Sequence, residues 1–371
     1  CFSMKHWADP TSSWLALKMI PNLGNITYRR LLDRFGDPVD VFNAGLHELL
    51  KVEGIRAETA KRIVSNKWEG DPHEELERIK KIGARLIRIV DSSYPMDLKQ
   101  IHDPPPLLYI KGNDLPLQKI MIAVVGSRNP SHYGLKVTEE ICHGLAMRNI
   151  AVVSGMAMGI DAAAHWGCLK AKGSTVAVLG SGIDVIYPGS NVKLYHSIAD
   201  HGSVITEFPV GTPPEGRNFP IRNRIISGLS KGVVVVEASR RSGSLITASL
   251  ALEQGREVFA VPGSIESFKS TGTHFLIKQG AKLVENADDI LQELGIISPS
   301  PGHGLPAKKP AVPPLEEDER RIFDILSNYP IHIDHIVRSS TFDSAKVASI
   351  LTGLELKGVI KQLPGKMFTV S

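Results

Sequence analysis

The stretch GVVVVEASRRSGSLITASLALEQGREVFAV, Gly232–Val261, contains a complete strand, helix and strand. Its two ends, Gly232–Ala238 and Glu257–Val261, are short apolar runs rich in Val, the composition of strands buried on both faces of a parallel sheet. Leu245–Gln254 reads as the helix between them, and SRRSGS, Ser239–Ser244, as the turn that opens it. The same alternation extends upstream. Ile120–Val125, Ile150–Ser154, Thr175–Leu179 and Ser203–Thr206 are further strands, separated by helices at Leu135–Arg148, Ile160–Ala171, Val192–His201 and Asn223–Ser230. Thr273–Gly280 adds a last helix. Alternating strands and helices of these lengths predict a Rossmann-like, doubly wound α/β sheet.

Outward from this core the composition changes. ISPSPGHGLPAKKPAVPP, Ile297–Pro314, is dense in Pro, Gly and Ser and reads as an extended linker. Beyond it, residues 315–371 have the outline of a winged helix: helices at Arg320–Leu326, Ile333–Arg338 and Ser344–Lys357, then two strands around the Pro364–Gly365 turn. Upstream, PNLGNITYRRLLDRFG (Pro21–Gly36) and KVEGIRAETAKRIV (Lys51–Val64) each place a Gly turn before a helix. That is a helix-hairpin-helix (SAM-like) pattern, in which turn N–H groups can face a phosphate. The plainer reading, a helical domain packed by Leu31, Leu32, Phe35 and Ile63, is preferred over DNA contact. The expected organisation is a helical domain over 1–70, a connection over 71–104, the core over 105–297, the linker over 298–314 and the winged helix over 315–371.

Composition narrows the function classes. The 42% hydrophobic and 22% charged residues suit a folded chain, and no apolar run approaches the ~18–20 residues that span a bilayer. Cys1, Cys142 and Cys168 form neither a disulfide ladder nor a CxxC zinc pair, so a reduced cytoplasmic setting without metal is expected. CFSMKHW lacks a signal-peptide core, and Met4 is a candidate start preceded by a scar or read-through at Cys1–Ser3. A net charge of +4 permits nucleic acid, provided the cations cluster.

They do cluster. In an open α/β sheet ligands bind at the carboxyl ends of the strands. There stand Gly126, Ser127 and Arg128 after the first strand and Gly155 after the second. Lys193 follows the third, and Arg217, Phe219, Arg222, Asn223 and Arg224 the fourth. Arg240, Arg241, Ser242, Gly243 and Ser244 follow the fifth. Small residues that expose N–H groups after nearly every strand suit a polymer of phosphates better than one dinucleotide. Phe219, among arginines, offers a stacking face for an unpaired base.

These segments, together with SGMAMGIDAAAH (Ser154–His165), SGIDVIYPGSN (Ser181–Asn191), FPIRNRIISGLS (Phe219–Ser230) and GTHFLIKQGAKLV (Gly272–Val284), resemble the DprA/Smf family in order and spacing. The resemblance implies a Rossmann-like core that binds single-stranded DNA, pairs into homodimers and recruits the RecA recombinase in natural transformation. It puts Arg128 at the position of a DNA-contacting arginine and Lys193 at that of a lysine, the latter with looser spacing. Where some members carry a lysine before the Phe, this chain has Gly216 and Arg217.

Other chemistry is disfavoured. Asp161 and His165 stand four apart on a helix but lack a third ligand, and read as a helix-start Asp with a partly buried His. Ser242 and Ser244 sit outside any GxSxG and read as anion-binding hydroxyls. There is no Walker A sequence, and the lone GxG at Gly302–Gly304 falls in the linker. No cofactor is expected. The rival class is a nucleotide phosphoribohydrolase on a related fold, whose PGGxGTxxE loop is replaced here by SRRSGSLITAS without the Glu.

Overall fold

Residues 9–296, 315–327 and 329–370 are described by a computed structural model of the chain. The linker at Ile297–Pro314, with Gly302–Gly304, and the candidate start at Met4 lie outside the described residues. Six helices come first: α1 Pro10–Lys18, α2 Asn25–Phe35, α3 Pro38–Asn43, α4 Leu46–Leu49, α5 Ala57–Val64 and α6 Pro72–Lys81. Three of them open with the same Asp-Pro device. The Asp9, Asp37 and Asp71 carboxylates accept from the N–H groups of Thr11, Val39 and His73 at 2.8, 2.9 and 2.8 Å. The following proline, already at helical φ and lacking an N–H, suits the first turn.

Strand β1 (Arg85–Arg88), the short helix α7 (Met96–Lys99) and β2 (Leu107–Gly112) lead into the core. There β3 Met121–Val125, α8 His132–Met147, β4 Ala151–Ser154, α9 Ile160–Lys170 and β5 Thr175–Val178 alternate. Next come α10 Val192–His201, β6 Ser203–Thr206, α11 Asn218–Gly228, β7 Gly232–Val235 and α12 Gly243–Glu253. β8 Glu257–Ala260, α13 Thr271–Lys278, β9 Lys282–Leu283 and α14 Ala287–Glu293 finish it. The sheet order is β1-β2-β6-β5-β4-β3-β7-β8-β9, parallel from β6 to β9. Successive strands run outward from β3 toward β6, and then the chain returns to the other side of β3 with β7. The crevice of a doubly wound sheet therefore falls between β3 and β7.

The sheet is larger than the six expected strands. β1 and β2 form an antiparallel pair against β6, so β1, in the segment expected only to connect, becomes an edge strand of the sheet. Helix α11 begins at Asn218, five residues before the expected start at Asn223. Pro220 is tolerated there because it sits in the first turn, where its missing N–H breaks no intrahelical bond.

The helical segment and the nine-stranded sheet form one compact unit, and the winged helix another. Within the first, Trp14, Tyr28, Leu31 and Ile63 share a continuous apolar core with Leu98, Tyr109, Val178 and Ile225. A polar seam crosses it. Lys18 donates to Asn25 Oδ1 at 2.6 Å, and Asn25 donates to Glu207 Oε2 at 3.2 Å. The buried Glu75 carboxylate accepts from the Val210 N–H at 2.9 Å.

The second unit contains α15 (Glu317–Ile325), β10 (Ile331–His332), α16 (Ile333–Ser339), α17 (Ser344–Leu356), β11 (Ile360–Leu363) and β12 (Met367–Val370). Its strands order as β10-β12-β11 over a core of Ile322, Ile336, Val347, Leu351, Leu354 and Phe368, which is a winged helix. On α17 the cation Lys346 is paired with Asp318 at 2.6 Å, and Lys357 beyond it is paired with Glu319 at 2.6 Å. Among the described residues no helix is long and apolar enough to cross a membrane.

Candidate nucleic-acid interface

At the β3–β7 crevice the backbones approach closely. A Cβ on Gly126 would lie 2.8 Å from Ile160 and 3.0 Å from the Glu237 carbonyl, so only glycine lets the turn after β3 pass there. Ser127 closes that turn: its hydroxyl accepts from the Asn129 N–H at 3.1 Å, and its carbonyl accepts from Ile160 N–H at 3.1 Å. Arg128 is thereby left exposed at the rim. After β4, Gly155 is followed by Met156 at φ 56°, an unusual conformation for a non-glycine residue and a local strain beside the crevice.

The side chains converge on Phe219 in the first turn of α11. Its ring lies against the end of β5, 2.9 Å from where a Cβ on Gly180 would be. The guanidinium carbons of Arg128 and Arg222 stand 5.5 and 5.9 Å from its centre. Tyr187, 45% exposed, places its ring 5.8 Å away. The result is a pair of aromatic faces with an exposed guanidinium at their edge, in reach of cation–π attraction.

Two of the expected contact residues face inward instead. Arg222 is 4% exposed and donates Nη1 to the Val178 carbonyl at 3.0 Å. A Cβ on Gly155 would overlap its guanidinium, so Gly155 is the slot that admits Arg222 and not an open anion cradle. Burial pulls the Arg222 pKa down to about 10, with Asp161 opposing and Arg128 assisting that fall. Burial raises the Asp161 pKa, while Arg222 and the Ala157 N–H oppose the rise. Arg224 is buried too. Its Nη2 donates to both Glu207 oxygens at 2.6 and 2.5 Å, and its Nε pairs with Asp103 at 3.1 Å. The reason is helical geometry. Once α11 starts at Asn218, its first turn points Phe219 at the strand ends beside Gly180, while Arg222 and Arg224 fall on faces turned to Val178 and to Glu207 and Asp103.

His165 is completely buried rather than partly so, and burial together with Arg222 pulls its pKa down to about 3. Thr175 donates its hydroxyl to the Val152 carbonyl at 2.8 Å. Its oxygen must therefore accept from His165 Nδ1 at 2.7 Å, which fixes the neutral tautomer with the proton on Nδ1. Asp161 and His165 thus belong to the packing beneath the site.

The remaining expected residues spread along the edge. Lys193 is exposed in the first turn of α10. Arg217 is 79% exposed and paired with Glu215 at 2.6 Å. Asn223 is half-buried on α11. Arg240 and Arg241 are exposed, with Arg240 5.2 Å from the Phe275 ring centre. Ser242 caps α12 by accepting from the Ser244 N–H at 3.4 Å, and the two hydroxyls lie 2.7 Å apart, so both are engaged locally. Gly243 is exposed beside them. Gly180 and Tyr187 were missed by sequence reasoning. The available signal was an aromatic residue in a Gly-rich loop after a strand. Among the described residues no cluster of His, Cys, Asp or Glu could hold a metal ion.

Known proteins resemble this chain in sequence and fold. The profile of the family described as DNA recombination-mediator protein A matches residues 85–295, and that of the DprA winged helix domain matches residues 306–366. The Smf protein of Synechocystis is 33% identical over 96% of this chain and 97% of its own. The crystal structure of DNA processing protein A from Streptococcus pneumoniae superposes with a TM-score of 0.68 at 40% identity, over 76% of this chain and 96% of that one. The Helicobacter pylori protein, whose structure was described for its single-stranded DNA binding mode, gives 0.52 at 28% identity over 57% of this chain and 96% of its own. With one family covering the sheet, a second profile covering the winged helix and a full-length relative joining them, this chain belongs to the DprA/Smf family.

Proposed function

We propose that the protein is a cytoplasmic, non-enzymatic mediator of recombination. It binds single-stranded DNA along the carboxyl edge of the parallel strands, shields the strand during natural transformation and loads RecA onto it, working as a homodimer through the Rossmann-like core. The observation that carries the reading is the grouping of Phe219, Tyr187 and Arg128 at the crevice: two aromatic faces for unpaired bases beside an exposed guanidinium. Stacking on aromatic faces beside a basic groove is the general physics of sequence-tolerant single-strand binding. Arginine suits the phosphate because its planar fork can hold two oxygens at once. The relatives support the reading, since the H. pylori protein was described by its single-strand binding.

The test is fluorescence anisotropy with single-stranded and duplex oligonucleotides across a salt series. With about three to five phosphates neutralised at about −0.7 each, the single-strand slope of log K on log salt should be about −2 to −3.5. Arg128→Ala should cost about 1.5–3 kcal/mol of single-strand binding, and Arg128→Lys should recover part of it. A flat salt response, or wild-type affinity in the alanine variant, rejects the assignment.

A further inference from the structure

Helix α11, which carries Phe219, is pinned by its two buried arginines, and the second pin reaches into the helical segment. Arg224 holds two carboxylates at once, Glu207 just past the end of β6 and Asp103 ahead of β2, and its Nη1 also donates to the Asp103 carbonyl at 2.8 Å. One guanidinium between two carboxylates leaves a negative charge uncompensated at a site where Glu207 and Arg224 are both buried. The helical segment supplies the missing cation. Lys18, the last residue of α1, donates to Asn25 Oδ1 at 2.6 Å, and Asn25, the first residue of α2, donates to Glu207 Oε2 at 3.2 Å.

Three observations make this link a constraint on the single-strand edge. Among the described residues Lys18 forms no ion pair of its own, so Asn25 and Glu207 are where its charge is used. Burial pulls the Lys18 pKa below the usual lysine range, with Glu207 opposing and Arg224 assisting that fall, so Lys18 shares one electrostatic cluster with both. Helix α11 starts at Asn218 without a side-chain cap, so the setting of its first turn depends on what its later residues hold. Phe219 stands in that turn, 5.5 Å from the Arg128 guanidinium and 5.8 Å from the Tyr187 ring. The first of these distances is close to the ~6 Å reach of cation–π attraction, and a small rotation of α11 would break the group.

We propose that Lys18 is a positioning residue for the single-strand site. Through Asn25 and Glu207 it fixes Arg224, and with it the rotation of α11, so the helical segment sets the stacking face without touching DNA. The inference rests on the single-strand reading of that edge.

Lys18→Met in the full-length chain tests this, because methionine keeps much of the apolar stem and removes the charge. Single-strand affinity, measured by anisotropy well below the melting transition, should fall about fivefold. In a Phe219→Ala background the same change should cost less than about twofold, since the face it positions is gone. Lost stability alone would lower affinity equally in both backgrounds. The salt slope should keep its wild-type value, whereas loss of a direct phosphate contact would make it shallower by about 0.7. Asn25→Leu, which breaks the relay and leaves Lys18 in place, should repeat the pattern, and Lys18→Arg should keep most of the wild-type affinity. Wild-type affinity in both Lys18→Met and Asn25→Leu would overturn the proposal. So would an equal loss with and without Phe219, or a shallower slope. If Phe219→Ala alone binds like wild type, the stacking reading falls first and the coupling falls with it.

Discussion

Replacing Arg222 with alanine separates a buried role from a surface one. In the structure its guanidinium makes one charge-assisted bond to the Val178 carbonyl, worth about 1.5–3 kcal/mol, and is the main counter-charge near the buried Asp161. Losing that charge leaves the buried Asp161 without its main electrostatic compensation, which adds about 1–3 kcal/mol. Part of that is returned, because Arg222 Nε is buried without a partner among the described residues and its desolvation is relieved. A net loss of about 3 kcal/mol is expected, which at about 2–4 °C per kcal/mol for a unit of this size lowers the melting temperature by about 6–12 °C. The assay is thermal and urea unfolding followed by tryptophan fluorescence, paired with single-strand binding below the transition. Adding Asp161→Asn to the alanine variant should restore part of the loss, since the orphaned carboxyl is then neutral. An unchanged melting curve with DNA affinity lost would refute the reasoning and return Arg222 to the surface.

Two other outcomes follow from the geometry. Phe219→Ala should weaken single-strand binding by about 1–3 kcal/mol and leave the salt slope unchanged, because stacking releases no counterions; anisotropy at several salt concentrations checks both. His165 should make the fold acid-sensitive. Its pKa falls from an ordinary 6.5 to about 3 on folding, so below pH 6.5 the unfolded chain takes up a proton that the folded chain refuses. Its contribution is complete above pH 6.5 and is lost as pH falls toward 3, at up to about 1.4 kcal/mol per pH unit. Urea midpoints at pH 7 and pH 5 should show this slope in wild type and a smaller one in His165→Gln.

Much of the core was legible because buried parallel strands announce themselves as apolar runs and their loops fall where ligands bind. All six expected strands are present, and Val192–His201 matches α10 at both ends. The edge strands β1 and β2 were harder to read. RLIR in β1 sets two adjacent apolar residues between arginines, too short a run to show a strand period, and its strand character comes from pairing with β2. Arg128 could be placed from the sequence because the glycine turn after β3 fixes it, whereas Phe219 was expected ahead of a helix starting at Asn223 and stands instead in the first turn of α11. Arg222 and Arg224 could not. Their burial depends on the phase of α11, and on partners at Asp103, Asp161, Val178 and Glu207 that are distant in the chain. A cluster of arginines in a sequence counts charge without giving its direction.

The reversal of chain direction at β2 has a geometric consequence. Only strands running the same way turn their carboxyl ends to the same side, and that row starts at β6 and ends at β9. Seven strands at about 4.8 Å spacing give it a length of about 29 Å. The antiparallel β2 acts as a ruler's end stop, because beside β6 the edge offers its amino end and the row is broken there, although β1 beyond it runs the β6 way again. If the proposed single-strand binding uses this edge, the length of DNA that one copy holds is set by topology before any side chain is chosen.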